Sequence, residues 1–345
     1  MIGYFARRLL LIIPTFIGIT MVVFVVTHFV PGGPIERQIM AYKMAMARGE
    51  GGAGGGGVSG FGAEIPPEAL EELRRFYGFD KPVHIRYALW LWHVMHLDLG
   101  TSYIYQDPVW DVIKSRFPVS IFLGVTGFLL SYVVCVPLGV MKAVRHGTPF
   151  DFVSSVLVFL GYAVPGWALG TALLVLFGGG SFWSIFPLGG FRPPAWESLS
   201  IWGKITGQLY YMFLPVVCYM VGSFATETIL MKNSLMENLG QDYVRTAFAK
   251  GLTERRVIFV HVLRNSLIPI VTGLGHVISL VLAGSFLIER VFNIDGMGYL
   301  GYTAILQRDY PVALGILVIS SLLMLIGNIL SDIIYAVVDP RIRFS

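Results

Sequence analysis

Apolar residues in this chain gather in long blocks, with no alternation of period two and no heptad seam. Six blocks reach the roughly 20 residues needed to cross about 30 Å of hydrocarbon. They occupy 9–30, 117–140, 152–177, 210–230, 266–288 and 312–338, and each predicts a membrane helix. The first block follows Arg7 and Arg8, where a secretory signal would stand, but it is longer than a signal core. It runs into HFVPGGP, which is not a small-residue cleavage site, so it too is read as a helix. Pro14, Pro137, Pro165, Pro215 and Pro269 fall inside the blocks. Each removes a helix donor that neighbouring helices or water must compensate, which predicts a packed bundle with local kinks. Gly161, Gly166 and Gly170 in the third block, and Gly273, Gly275 and Gly284 in the fifth, predict close helix approach.

The polar intervals orient the bundle. With the N-terminus inside, the inner flanks carry Arg7, Arg8, Lys142, Arg145, Lys232, Arg245, Lys250, Arg255, Arg256, Arg264, Arg341 and Arg343. The short outer loops carry only Arg192, Lys204, Arg290 and Arg308. Excess basic residues mark cytoplasmic loops, so both termini are expected in the cytoplasm. The long interval 31–116 is then external. Its glycine-rich stretch 49–60 reads as a linker, because no Gly-Lys-Ser or Gly-Lys-Thr follows to make a phosphate loop. Beyond it a short helix is expected over 67–77. Ile85, Leu89, Trp92 and His96 recur at helical spacing beside Trp90, as in an amphipathic helix lying at a membrane surface. His93, His96 and Asp98 stand too close together to suggest a metal site, and a solvated face is expected.

Composition agrees with the pattern. Hydrophobic residues make up 55% of the 345 and charged ones 13%, with a mean hydropathy of +0.70, which excludes a soluble domain. The net charge of +4 is scattered along the chain, with no signature of nucleic-acid binding. Cys135 and Cys218 both lie in apolar blocks, so neither a disulfide framework nor a zinc site is expected. Among the polar residues inside the blocks, Glu227 and Asp332 lie near the inner ends and Asn328 in the sixth block. His276 lies near mid-depth, and no aligned proton relay results.

The interval 231–265 carries the most chemistry. Tyr243, Val244, Ala247 and Phe248 form two adjacent apolar pairs at i, i+4, predicting a short amphipathic helix with Arg245 pointing elsewhere. Lys250 falls in its last turn, and Gly251 stands where a left-handed cap is wanted. Thr253 and Glu254 then suit the start of a second helix. A helix, a glycine break and a helix make an elbow, able to seat in a partner's groove and pass its motion to the membrane helices.

This stretch, YVRTAFAKGLTERRVIFVHVLRNSLIP, resembles the cytoplasmic coupling loop of ATP-binding-cassette importer permeases. Arg245, Thr246 and Ala247 stand at the Glu-Ala-Ala positions and Gly251 at the loop glycine. The leading glutamate is replaced by Arg245, and the Ile-x-Leu-Pro end by His261, Val262, Leu263 and Arg264. Both departures are similar to the dipeptide and oligopeptide (Dpp/Opp-type) branch, whose loops read YVRTARAKG and HALRNAL. The likeness extends through RRLLLIIPT, YGFDKPVHIRY, DLGTSY, ERVFNIDGMG, RDYP and DPRIRF. The long first outer segment, the glycine-rich insertion and the KNS after the fourth block are similar to Yej-type permeases of oligopeptide and microcin C import.

The resemblance implies an all-α integral membrane protein of the type I importer (MetI-like) fold, with six transmembrane helices, a single permease domain over 1–345 and both termini cytoplasmic. It implies a multi-pass protein of a bacterial inner membrane that imports peptides and holds no ATPase site or cofactor. ATP and magnesium would belong to a partner, since the chain has no GxxxxGK[ST] motif. The implied partners are a second permease, one or two ATPase subunits or a fused double ATPase, a periplasmic peptide-binding protein and membrane lipid, with no nucleic acid. Tyr243, Arg245, Thr246, Ala247, Lys250 and Gly251 are the expected coupling residues. Glu289, Asp295, Arg308 and Asp309 would face the binding protein, with a tight turn expected at Asp295 and Gly296. The alternative is a self-sufficient ion-coupled secondary transporter, which should show internal repeats with matching broken segments.

Overall fold

The computed structural model describes residues 2–29, 71, 81–180, 182–272 and 285–338. Helices dominate, and the described residues contain no strand, only isolated bridges between Thr101 and Pro108 and between Gly178 and Phe186. In chain order the helices are α1 (Ile2–Phe29), α2 (Val83–Met95), α3 (Val109–Val144), α4 (Pro149–Ala163), α5 (Gly166–Phe177), α6 (Ile201–Leu239) and α7 (Asp242–Ala249). A helical run, α8, follows over 254–266, then α9 (Ile268–Thr272), α10 (Phe286–Val291), α11 (Met297–Leu306) and α12 (Tyr310–Val338). The chain divides into two compact units. One comprises Met1–Ile13, Ser115–Tyr302 and Ile319–Ser345, the other Pro14–Lys114 and Thr303–Val318.

Among the described residues four helices are long and apolar enough to cross a membrane: Arg7–Val26, Val109–Val144, Ile201–Leu239 and Tyr310–Ile334. The expected blocks 117–140 and 210–230 mark only the apolar middles of α3 and α6, which have 36 and 39 residues. At 1.5 Å per residue each exceeds 50 Å, well beyond about 30 Å of hydrocarbon. The third block departs further from expectation. Instead of one kinked helix it forms α4 and α5, bent by 95°. Pro165 lies between them, and Val164 before it is extended at φ −94° and ψ 117°. Proline disfavours helical backbone in the residue before it, and Pro165 has no N–H with which to continue α4. Pro14, Pro137 and Pro215 by contrast lie within continuous helices. Most of the fifth block, with His276, Gly273, Gly275 and Gly284, lies outside the described residues, as do the expected helix over 67–77 except residue 71 and the linker 49–60.

The larger unit is organised on α6. Towards its N-terminal end a core of Leu123, Met212, Leu214, Val216, Cys218, Ile288, Phe292 and Ile294 joins it to α3 and α10. Towards its C-terminal end a second core joins Val140 and Ala143 of α3 to Met231 and Leu235 of α6 and to Val244 and Ala247 of α7. Small residues make these approaches possible. A Cβ on Gly166 would lie 2.7 Å from the Cys218 carbonyl oxygen, and one on Gly139 would lie 2.6 Å from Met231 Cβ. Gly161, expected to do the same, has open space around it.

In the smaller unit α2 packs on α1. The Tyr87 hydroxyl lies 2.9 Å from Thr20 Oγ1 and donates to the Ile17 carbonyl at 3.1 Å. Phe24 packs between Tyr87 and Trp90, both at 5.5 Å between ring centres. The other face of α2 leaves Ile85, Leu89 and Trp92 exposed, which is the amphipathic pattern read from the sequence.

Candidate functional site

α7 begins at Asp242 and ends where Gly251 takes φ +76°. The Gly251 N–H donates to the Phe248 carbonyl at 2.9 Å and the Leu252 N–H to Ala247 at 3.4 Å, closing a Schellman cap. A Cβ on Gly251 would touch nothing, so the requirement for glycine is one of backbone conformation alone. Lys250 is the C-cap residue, one step beyond the last turn in which it was expected. The expected apolar stripe also divides. Val244 and Ala247 are buried in the core formed with α3 and α6, while Tyr243 and Phe248 remain exposed beside Arg245 and Thr246. Ala247 therefore seats the helix, and an approaching surface would meet Tyr243, Arg245 and Phe248.

The second arm, α8, is less regular than expected. Glu254–Arg256 leads into a π-helical turn, Val257–Val262, before α-helix resumes at Leu263–Ser266. The wider turn buries Val257, Ile258 and Val262 and leaves Phe259 and Val260 exposed. Thr253 occupies the N-cap position, but its side chain makes no capping bond. Two reciprocal bonds fasten the arm to α6: Ser234 Oγ donates to the Ser266 carbonyl at 3.0 Å and Ser266 Oγ to the Ser234 carbonyl at 3.3 Å.

Beside this seat lies a group of charges that sequence reasoning took only as topological. Lys142 is buried, and its ammonium donates to the Asp151 carbonyl (3.0 Å), Ser154 Oγ (2.9 Å) and Ser155 Oγ (2.7 Å). Lys232 donates to both Asp151 carboxylate oxygens at 2.8 Å. The Gly147 N–H at 3.3 Å and His146 Nδ1 at 3.0 Å add to these contacts, so the buried carboxylate meets groups of α3, α6 and the connection between α3 and α4.

The expected docking residues divide in two. Glu289 and Asp309 are buried, so neither presents its carboxylate to a partner. Glu289 accepts the Tyr299 N–H at 2.7 Å and the hydroxyls of Tyr219 and Ser120 at 3.3 and 3.5 Å. Burial raises its pKa above the ordinary glutamate value. Asp309 accepts from Ser102 Oγ at 2.5 Å and from the N–H groups of Tyr103 and Ile104 at 3.1 and 3.3 Å. Asp295 and Arg308 are exposed, and Asp295 pairs with Arg116 at 3.0 Å. Asn293 takes φ +49° and the Ile294 N–H closes on the Glu289 carbonyl at 2.8 Å; the tight turn expected at Asp295 and Gly296 follows, with the Gly296 N–H donating to the Ile294 carbonyl at 3.1 Å. Arg308 makes the equivalent left-handed step after α11, at φ +57°.

Among the described residues no group of three or more His, Cys, Asp or Glu side chains is placed to hold a metal. His93 and Asp98 form an exposed pair at 3.1 Å.

Known proteins resemble the chain over nearly all its length. The family model described as the binding-protein-dependent transport system inner membrane component matches residues 135–344. The peptidoglycan transport system permease protein YejB of Agrobacterium fabrum is 40% identical over 363 residues, covering 99% of this chain and 98% of that protein. The inner membrane ABC transporter permease protein YejB of Escherichia coli O157:H7 is 40% identical over 360 residues, covering 99% of each. The dipeptide transport system permease protein DppB of Escherichia coli K12 is 36% identical over 359 residues, again covering 99% of each.

Proposed function

This chain belongs to the family of binding-protein-dependent transport system inner membrane components, and we propose that it is the permease subunit of an ATP-binding-cassette importer for peptides in a bacterial inner membrane. Amides and charged termini are costly to carry through hydrocarbon, so the cargo needs a path lined by protein and water. The chain supplies half of that path. A second permease supplies the other half, ATPase subunits or a fused double ATPase bind ATP and magnesium, and a periplasmic binding protein delivers peptide. Six helices cross the membrane with both termini in the cytoplasm, the broken pair α4 and α5 together forming one crossing and 266–288 another. The segment 31–116 is periplasmic.

The observation that carries this reading is the elbow of α7 and α8, capped at Gly251, seated on the ends of α3 and α6, and presenting Tyr243, Arg245, Thr246 and Phe248 outward. Closure of the ATPases on ATP displaces the elbow and biases the bundle between inward-open and outward-open states. Lys250 and Gly251 end α7, and Ala247 seats it. On the outer side Asp295 and Arg308 meet the binding protein. Of the acids weighed for ion coupling in a secondary transporter, Asp332 is paired with Arg8. Purification from the native membrane in mild detergent tests the assignment. Recovery of a second permease and a Walker-motif ATPase, with hydrolysis stimulated by a peptide-binding protein, is the expected result. Recovery of the chain alone, still moving solute on an ion gradient in liposomes, would overturn it.

A further inference from the structure

Asp151 ties together three helices, α3, α4 and α6. It stands in the first turn of α4. Both of its oxygens are held at 2.8 Å by Lys232 of α6, and Oδ1 lies 3.2 Å from Lys142 in the last turn of α3. The connection between α3 and α4 adds the Gly147 N–H at 3.3 Å and His146 Nδ1 at 3.0 Å. The three donors of Lys142 go to the Asp151 carbonyl, Ser154 and Ser155, all on α4, and its contact with Oδ1 is one of charge.

The position of this knot gives it meaning. Lys142 is adjacent in sequence to Ala143 of α3, and Lys232 to Met231 of α6. Ala143 and Met231 belong to the core that holds Val244 and Ala247 of α7. The elbow thus rests on two helices whose next residues grip α4, and α4 leads directly into the 95° bend with α5. A buried ion pair adds little net stability over apolar packing of the same volume, while removing one partner leaves an uncompensated buried charge. Two directional bonds from Lys232 to the carboxylate and three from Lys142 to other acceptors of α4 fix which atoms of the three helices meet.

We propose that Asp151 is a positioning residue for energy coupling, joining α3, α4 and α6 into one rigid body with the elbow so that the elbow's displacement reaches the bent pair α4 and α5. This rests on the reading of the elbow as the surface facing the ATPase. It goes beyond that reading in assigning the relay to a side-chain cluster that touches neither ATPase nor peptide.

The test is peptide moved per ATP hydrolysed, measured on the complete transporter in proteoliposomes carrying Asp151→Asn, Lys232→Gln or Lys232→Arg. The ratio does not depend on how much complex assembles, so a merely structural role would not move it. Asp151→Asn and Lys232→Gln should lower it by roughly 5-fold or more, the lower range of coupling between linked sites. Lys232→Arg, whose fork also spans both carboxylate oxygens, should restore most of it. Should Asp151→Asn fail to assemble, the Lys232 pair of variants carries the test alone. An unchanged ratio in a coupled transporter overturns the proposal by itself. A wild-type complex with no ATP-driven uptake overturns the functional reading, and the proposal falls with it.

Discussion

Gly296 lies directly against the carboxylate of Glu289: a Cβ built on it would sit 2.6 Å from Cδ and 2.7 Å from each oxygen. The glycine is required by proximity, because the left-handed residue of this turn is Asn293. Glu289 can therefore remain buried while bonding Tyr299, Tyr219 and Ser120. Gly296→Ala should displace the carboxylate and destabilise the segment by about 1–3 kcal/mol, the usual cost of overpacking. Limited proteolysis between Phe286 and Tyr299 in the detergent-solubilised protein would show it as faster cleavage. Unaltered cleavage would mean that the turn yields without strain.

The buried carboxyl of Glu289 should make stability depend on pH. The pKa of Glu289 is raised by burial, so the folded state holds its proton at higher pH than the unfolded state does. Its contribution to stability is greatest below the ordinary glutamate range near 4.3 and falls as pH rises through the raised value. Thermal unfolding followed as pH is lowered towards the ordinary glutamate range should therefore show a gain in stability that Glu289→Gln abolishes.

Gly251 makes a test in which sterics and conformation separate. No atom would meet a new Cβ, so Gly251→Ala carries only the left-handed strain of about 1–2 kcal/mol, and Gly251→Val more because its branch restricts that region further. We expect both variants to assemble and ATP hydrolysis to uncouple from uptake in the order Val, then Ala, then wild type. Full coupling in Gly251→Val would remove the cap from the mechanism.

Arg308 and Asp309 are neighbours with different expected phenotypes. Arg308→Glu, at an exposed position, should weaken stimulation of ATP hydrolysis by the binding protein without altering stability. Asp309→Asn should leave the turn at Ser102 with weaker acceptors, cost about 1–3 kcal/mol, and speed trypsin cleavage after Arg308. If charge reversal at Arg308 leaves stimulation intact, the outer docking assignment is wrong there.

Local signals were legible where one stretch of chain holds all the partners. Gly251 announced its cap because donor, acceptor and left-handed residue lie within six positions, and the spacing of Tyr243, Val244, Ala247 and Phe248 announced a short amphipathic helix. Glu289 and Asp309 were misread as surface charges because the groups that bury them come from far along the chain, Ser102 standing 207 residues from Asp309. Lys142 was read as a topological charge for the same reason: nothing in its neighbourhood says that α4 turns back to place Asp151 and two serine hydroxyls around its ammonium.

What the sequence by itself determined is the membrane class, the helical character, the elbow and the family, since each rests on composition, short-range spacing or motif. The tertiary structure alone decided which ionisable side chains are buried, where Pro165 turns one apolar block into two helices, and which half of the α7 stripe faces inward. Hydrophobicity ranks segments by their preference for lipid and is indifferent to direction. Burying a charge requires particular donors at hydrogen-bond distance, and only the folded chain brings them there.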